Sequence, residues 1–524
     1  MTSQPEGVES GASPGARAAT HVGAGIFLSR ILGLVRMRVE AYFFGTSVFA
    51  DAWRAAMVVP NVIRNLLGEG TLSASMVPIY AEFLEEGRED EASRFAGAVL
   101  GLLTVAAAIL ALLGVLAAPF LVAILLPQGG PEKQAITTTL VRILFPMSGI
   151  FVISAWAMGV LDSHRRFFIS YAASSFWNIS VIAAVVSGGV FWGLGQRDLI
   201  VVLAWGALAG GGLQLAVQLP FVVRHLTGVH LSLGRGIEGV SEAMANFWPV
   251  VSARGVISLS SWFQIFLAGL LADGALAVMG YAQQLYILPI SLFGISIAAS
   301  ELPEMSRMRE QDHKILADRV AVALRRVSFF LVPTAIGYVV LGDIAIAALF
   351  ETGEFGSAET LISWGVLGAF ALGMPASASS RALSSAFYAL RDTKTPARIA
   401  YLRVAVSVVI GVLAMRPLDH FGIAGLQLGA AGLAIGASCA AWLELVLLRR
   451  ALGRLIGDHG PGTTPIVRFA LAASIAVSLG VGLQTVLPSA HPILLAVETL
   501  IPVGLVYLAV AALLGEGIPI RVRR

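Results

Sequence analysis

Nine arginines stand inside long apolar stretches of this 524-residue chain: Arg30, Arg36, Arg38, Arg54, Arg64, Arg142, Arg254, Arg381 and Arg403. None of these intramembrane cations is a lysine. On insertion scales a cation at the centre of a membrane helix costs about 2.5–3.5 kcal/mol, so nine facing lipid are tolerable only with pairing, snorkelling or a wet cavity. A hydrated cavity is the economical arrangement. Guanidinium stays charged at any relevant pH and offers a planar fork to phosphate oxygens, which suits an anionic, diphosphate-bearing ligand better than a proton relay.

Some of the set has simpler explanations. Asp51 lies three residues before Arg54, and Glu40 four after Arg36, spacings at which helix neighbours pair. Arg38, Arg142 and Arg403 stand near enough to an interface or polar neighbour to snorkel. That leaves Arg30, Arg64, Arg254 and Arg381 as the foremost candidates.

The elements that position them follow from composition. With 57% hydrophobic and 13% charged residues, the chain is excluded from the soluble globular class. Apolar runs of about twenty residues or more also exclude a β-barrel, whose strands alternate over about ten. The expected fold class is an all-α membrane protein with fourteen transmembrane spans. They lie near 22–45, 50–82, 96–126, 136–161, 167–192, 199–223, 243–271, 274–303, 320–350, 359–390, 396–415, 422–448, 467–487 and 492–514. With the N-terminus inside, loops and tails on that side hold 23 of the 35 Lys and Arg, while the outer loops hold only Lys133, Arg197 and Arg416. This bias predicts cytoplasmic termini and an even number of spans. Residues 1–21 read as a disordered tail without a cleavable signal.

The chain repeats itself. Pro60 and Pro289, Pro146 and Pro375, and Leu161 and Leu390 are each 229 residues apart, and LAWGA from Leu203 recurs as LAIGA from Leu433. Two parallel six-helix lobes follow, 22–228 and 229–455, related by a pseudo-twofold along the membrane normal, with two further helices and a basic tail in 456–524. Gly33, Pro60, Gly68 and Gly70 interrupt the arginine-bearing helices and are candidate hinges, with small-residue helix packing as the alternative.

Enzyme chemistry is not indicated. Glu301, Glu444, Glu498, Asp273 and Asp343 are isolated from one another, so no acid/base pair or acidic metal motif forms. Cys439 is the single cysteine, and no His or Cys set has zinc-ligand spacing. No metal, cofactor or nucleic acid is expected.

The segments SRILGLVR (Ser29 to Arg36), Asp51 and PNVIRNLLGEGTLSASMVP (Pro60 to Pro78), together with YAQQLYILP ending at Pro289 and SRALSSAFYALRDTKTP (Ser380 to Pro396), resemble the MurJ (MviN) family of lipid II flippases. The resemblance runs over nearly the whole chain. It implies the fold of the multidrug/oligosaccharidyl-lipid/polysaccharide exporter (MOP) superfamily, a central cavity between lobes, a lipid-tail groove formed by spans 13 and 14, and export of the peptidoglycan precursor for cell-wall biogenesis. It further implies that Arg30, Arg36 and Arg64 engage the diphosphate or its head group, with Asp51 and Glu69 at motif positions and Ser29 beside them. Implied partners are lipid II, membrane lipids and the peptidoglycan synthesis machinery, the carrier itself acting as a monomer.

The sequence departs from the family pattern on span 8, where an arginine and an acid three residues later are replaced by Gln284 and Ile287. At 1.5 Å per residue, Arg254 and Gln284 reach similar depths, so Arg254 is expected to substitute for the missing charge. An acid is also missing at Met37, while Arg38 and Glu40 are extra. Span 7 offers Asn246 and Gln264 but no acid, and span 11 has none, which disfavours sodium coupling and leaves the membrane potential as driving force. The competing functions are export of a drug or another polyprenyl-linked saccharide, and a non-transporting scaffold of wall synthesis.

Overall fold

A computed structural model describes residues 14–228, 231–298, 301, 305, 313–423, 426–487 and 491–517. The regular structure of these segments is helical, apart from a short hairpin pairing Gly422–Ile423 with Leu426–Gln427 and an isolated bridge between Thr352 and Phe355. Among the described residues, eleven helices are long and apolar enough to cross a membrane, and they correspond to spans 3 to 6 and 8 to 14 of the fourteen anticipated. Spans 1, 2 and 7 are the helices Pro14–Phe44, Val48–Leu67 and Val240–Ala268. Span 2 falls below that apolarity because Asp51, Arg54 and Arg64 lie within it.

The chain forms two compact units. One comprises Met1–Val39, Ala56–Ala123 and Gln134–Ser261. Its core gathers Leu72, Met76, Tyr80, Phe95, Trp156 and Val160. The Trp156 indole donates to the Ala96 carbonyl at 3.0 Å, so the largest buried ring also satisfies its one polar atom.

The other unit comprises Glu40–Ala55, Ile124–Lys133 and Trp262–Arg524. Span 9 (His313–Phe350) bends where Leu341 leaves helical geometry at φ −119°, ψ 17°. The Trp364 indole donates to the carbonyls of Tyr338 and Val339 at 3.1 and 3.2 Å on the turn before, satisfying groups that the bend exposes. Span 8 (Ala275–Pro289) continues into a π-helical segment, Ile290–Ile295, immediately after Pro289, whose missing N–H leaves the regular ladder unfilled. Spans 13 and 14 (Thr463–Val486 and Pro492–Leu513) pack on span 9 through Phe329, Phe469 and Tyr507. There the Tyr507 hydroxyl donates to the Phe329 carbonyl at 2.5 Å.

Candidate functional site

The sequence-selected residues of the first unit converge on spans 1, 2, 4 and 5. Span 1 runs through Gly33 without a break, and Gly33 faces Asn178 of span 5: a Cβ at residue 33 would lie 3.9 Å from the Asn178 Oδ1. Arg36 donates from Nε to Asn178 Oδ1 at 3.0 Å, and its guanidinium lies 5.0 Å over the Trp177 ring. Asn178 donates in turn to the Ser174 carbonyl at 3.3 Å, and the Ser174 hydroxyl donates to Ser29 Oγ at 2.9 Å. Ser29 and Arg36 are therefore fixed by one polar strip of span 5.

Arg64 is held by span 4 instead. Its guanidinium lies 5.5 Å over Phe151, and Phe151 meets Trp177 edge to face with ring centroids 6.3 Å apart. Two adjoining aromatic rings thus carry one guanidinium each, Arg36 on Trp177 and Arg64 on Phe151. A π face steadies a cation without cancelling its charge. Among the described residues, Arg30, Arg64, Arg142 and Arg381 form no ion pair. Such guanidiniums keep their forks for an external anion.

The break in span 2 falls at Gly68, between helices Val48–Leu67 and Glu69–Ser75, while Pro60 sits within the continuous first helix. Gly68 has φ −94°, ψ −141°, and a Cβ there would lie 2.2 Å from the Arg64 carbonyl oxygen, so glycine is required. Thr71 supports the break by donating to the Leu66 carbonyl at 2.6 Å. Gly70 lies inside the short following helix. The side chains of Glu69 and Arg254 fall outside those described, and with them the expected pairing of Arg254 with Gln284. Gln284 itself is half-buried on span 8, Ile287 is exposed, and Arg381 is exposed on span 10.

Within the second unit a separate polar assembly forms around Asp51. Its carboxylate is fully buried and accepts from Lys133 Nζ at 2.6 Å, Gly274 N at 2.9 Å and Ala277 N at 2.8 Å. The two backbone donors open span 8, so the carboxylate also meets the positive end of that helix. Lys133, itself buried, reaches Asp273 at 3.0 Å. Beside it Arg54 meets Glu40 at 3.5 Å, rather than Asp51, and lies 5.1 Å over Tyr281. A Cβ at Gly280 would stand 2.9 Å from Arg54 Nε, so this glycine makes the room. The Tyr281 hydroxyl donates to the Gly45 carbonyl at 3.2 Å, and Glu354 N donates to the Tyr42 carbonyl at 2.9 Å. Asp51 therefore serves in this state as the centre of a clamp joining spans 2, 4 and 8.

Sequence reasoning missed Lys133, Asp273, Gly274, Gly280 and Tyr281. The available signal was Lys133, one of three lysines among 35 basic residues and counted as an ordinary loop charge. Arg403 donates to Glu444 at 2.7 Å, which accounts for it as a structural pair between spans 11 and 12.

An apolar groove of about 410 Å³ opens in the second unit between spans 9, 13 and 14. Phe293, Phe330, Tyr338, Val503 and Leu508 line it.

A multi-pass helical membrane protein with span-borne arginines, helix breaks and paired carboxylate clamps has the character of a carrier, and its fold is one found among solved transporters of the MOP superfamily. An inward-facing multidrug resistance MATE family transporter of that superfamily aligns with TM-score 0.65 at 13% identity, over 84% of this chain and 98% of its own. The structure described as lipid II flippase MurJ in an inward closed conformation aligns with TM-score 0.77 at 21% identity, over 94% and 98%. The family model for lipid II flippase MurJ matches residues 40–503, and the chain belongs to that family. A probable lipid II flippase MurJ of Rhizobium tropici is 31% identical over 433 residues, 82% of this chain and 79% of the relative. One from Rhizobium meliloti (strain 1021) is 30% identical over 469 residues, 87% and 84%.

Proposed function

We propose that this protein carries lipid II, the polyprenyl-diphosphate-linked muropeptide, from the cytoplasmic to the outer leaflet of the bacterial inner membrane by alternating access. It does so as a monomer with both termini cytoplasmic, and it delivers to the peptidoglycan synthesis machinery. The observation that carries this reading is the cluster of guanidiniums on the first two membrane spans: Arg64, which forms no ion pair among the described residues and is steadied over Phe151, Arg36 on Asn178 and Trp177, and Arg30 one and a half turns earlier. These side chains present forked donors to a diphosphate and its sugars in a low-dielectric setting, where charge-assisted hydrogen bonds are strong. Arg254 and Arg381 supply further cations from spans 7 and 10, and Gln284 offers a neutral amide where relatives of the family pattern carry charge.

Membership in the MurJ family supports the substrate, and the tail fits the apolar groove beside spans 13 and 14. In the translocation step the loaded head group screens the arginines from one another, and the Asp51 clamp releases so that the outer ends of spans 2 and 8 separate. An inside-negative potential favours outward movement of the anionic head group by about 2.3 kcal/mol per charge per 100 mV. Gly68, Gly70, Gly33 and Pro60 are the points at which the arginine-bearing helices yield.

Complementation tests the reading. The wild-type chain should restore growth to a flippase-depleted bacterium, and an Arg30→Ala/Arg64→Ala double variant expressed at the same level should not. Failure of the wild type, or growth with the double variant, overturns it.

A further inference from the structure

Span 12 (Gly429–Ile456) ends at Gly457 (φ +81°), and the chain then folds back over the helix end. A pocket of about 420 Å³ opens there, lined by Val446, Arg449, Arg450, Gly453, Gly457, Asp458 and His459. Its chemistry is basic and it takes no part in the carrier mechanism. His459 is 3% exposed and its Nδ1 lies 2.8 Å from the Gly457 carbonyl, yet its Nε2 has no partner. A buried imidazole nitrogen left unsatisfied in the wall of a pocket points to a missing polar ligand.

Local geometry assembles the site. The Arg449 guanidinium lies across Gly460, where a Cβ would fall 2.1 Å from its Nη2, so glycine at 460 lets that cation fold over the loop. At Gly453 an added Cβ would meet only the His459 ring, at 3.6 Å, and the absent side chain leaves the floor open. Asp458 is turned into its own loop, its Oδ1 accepting from Gly460 N at 3.2 Å. The helix's C-terminal carbonyls disfavour an anion, but Gly457 N already caps the Gly453 carbonyl at 3.0 Å, and the Nδ1 of His459 approaches that of Gly457. The paired arginines then set the sign of the pocket.

The occupant is indicated by what leads into it. Trp442, Val446, Arg449 or Arg450, and Gly453 follow one another at three- and four-residue intervals, so they share a helix face. Trp442 and Val446 are exposed large apolar residues, and the Trp442 indole is anchored to the Leu372 carbonyl at 2.9 Å. An apolar, lipid-facing stripe ending in two arginines at the end of a span matches an acyl chain ending in a phosphate. We propose that this pocket binds the phosphodiester head group of an anionic phospholipid, in the leaflet on the side of the basic loops. Both arginines and the His459 Nε2 surround the phosphate, and one acyl chain lies along Val446 and Trp442.

The test uses the full-length protein equilibrated with mixed micelles containing equal phosphatidylglycerol and phosphatidylcholine, the retained lipid being quantified by mass spectrometry. Phosphatidylglycerol should be enriched on the wild type, and Arg449→Ala/Arg450→Ala should lower that enrichment about 30-fold, the effect of two interfacial charges. Because that variant removes two long side chains, Gly453→Leu serves as the second: it fills the pocket with both arginines in place and should lower the enrichment equally. Equal retention of the two lipids by the wild type, or unchanged enrichment in both variants, overturns the proposal. Displacement of phosphatidylglycerol by millimolar inorganic phosphate also overturns it, assigning the pocket to a soluble anion.

Discussion

Asp51→Asn tests the clamp on spans 2, 4 and 8. The substitution keeps the size of the side chain and one acceptor oxygen, but it removes the charge facing Lys133 at 2.6 Å and one of the two acceptors, Oδ2 for Lys133 Nζ and Gly274 N or Oδ1 for Ala277 N. Breaking a buried ion pair by removing one partner costs about 3–5 kcal/mol, and because Lys133 retains Asp273 at 3.0 Å the lower end applies. About 3 kcal/mol corresponds to a shift of roughly 150-fold in the balance between clamped and released states. Ala277 is fully buried under the clamp, so a cysteine there, in a Cys439→Ser background, reacts with a membrane-impermeant maleimide only after release. Asp51→Asn should raise the labelling rate from the outer side by about two orders of magnitude. The Asp51→Asn/Lys133→Gln pair should raise it less than the sum of the single effects, since no buried charge is then left uncompensated. Labelling at the parental rate in Asp51→Asn would refute the assignment of Asp51 as the clamp.

Further predictions follow from local geometry. Gly68→Ala places a Cβ against the Arg64 carbonyl and should cost about 1–3 kcal/mol, read as a lowered Tm, with transport falling as Arg64 is displaced. At the start of span 11 the Thr395 side chain, together with Thr395 N and Lys394 N, each 3.0 Å from Asp392 Oδ1, holds the Asp392 carboxyl below the usual range. Asp392→Ala should cost about 1 kcal/mol in a thermal unfolding assay, and Asp392→Asn less, because the acceptor remains. His164, next to the inner end of span 4, stacks on His225 at 4.3 Å and meets the Tyr80 hydroxyl at 3.0 Å. Burial, His225 and Arg166 lower its pKa, with Glu89 acting the other way. The unfolded chain then binds this proton more readily, so the contribution is complete above about pH 6.5 and is lost as pH falls below it toward the folded value. Tm should therefore fall between pH 7 and 5, and His164→Phe should flatten that slope.

The span pattern was legible because helix length and apolarity are local quantities, and the arginines stood out because each is costly in lipid. Partner choice was less accessible. Asp51 and Arg54 have the spacing of a helical pair, yet Asp51 meets Lys133, 82 residues away, and the opening amides of span 8, more than 220 away, while Arg54 turns to Glu40. Three converging donors outweigh one neighbouring guanidinium, and no local pattern announces a convergence that depends on how distant loops meet. Glycines show the same limit. Gly33 and Gly68 read alike, but Gly33 stands in an unbroken helix with room for a Cβ, whereas Gly68 takes a geometry that would bring a Cβ onto its own helix's carbonyl. The aromatic pair Phe151 and Trp177, which carries Arg64 and Arg36, has no signature of its own in the sequence, because its role lies in the cations stacked upon it.

Translocation of a fluorescent lipid II analogue by purified protein in proteoliposomes tests the central claim most directly. The wild type should flip the analogue, Arg64→Ala and Arg30→Ala should abolish flipping, Arg64→Lys should retain part of it by keeping charge without the fork, and Arg403→Ala should leave the diphosphate step intact once folding is verified. Wild-type flipping rates in the Arg30→Ala/Arg64→Ala double variant would contradict the account.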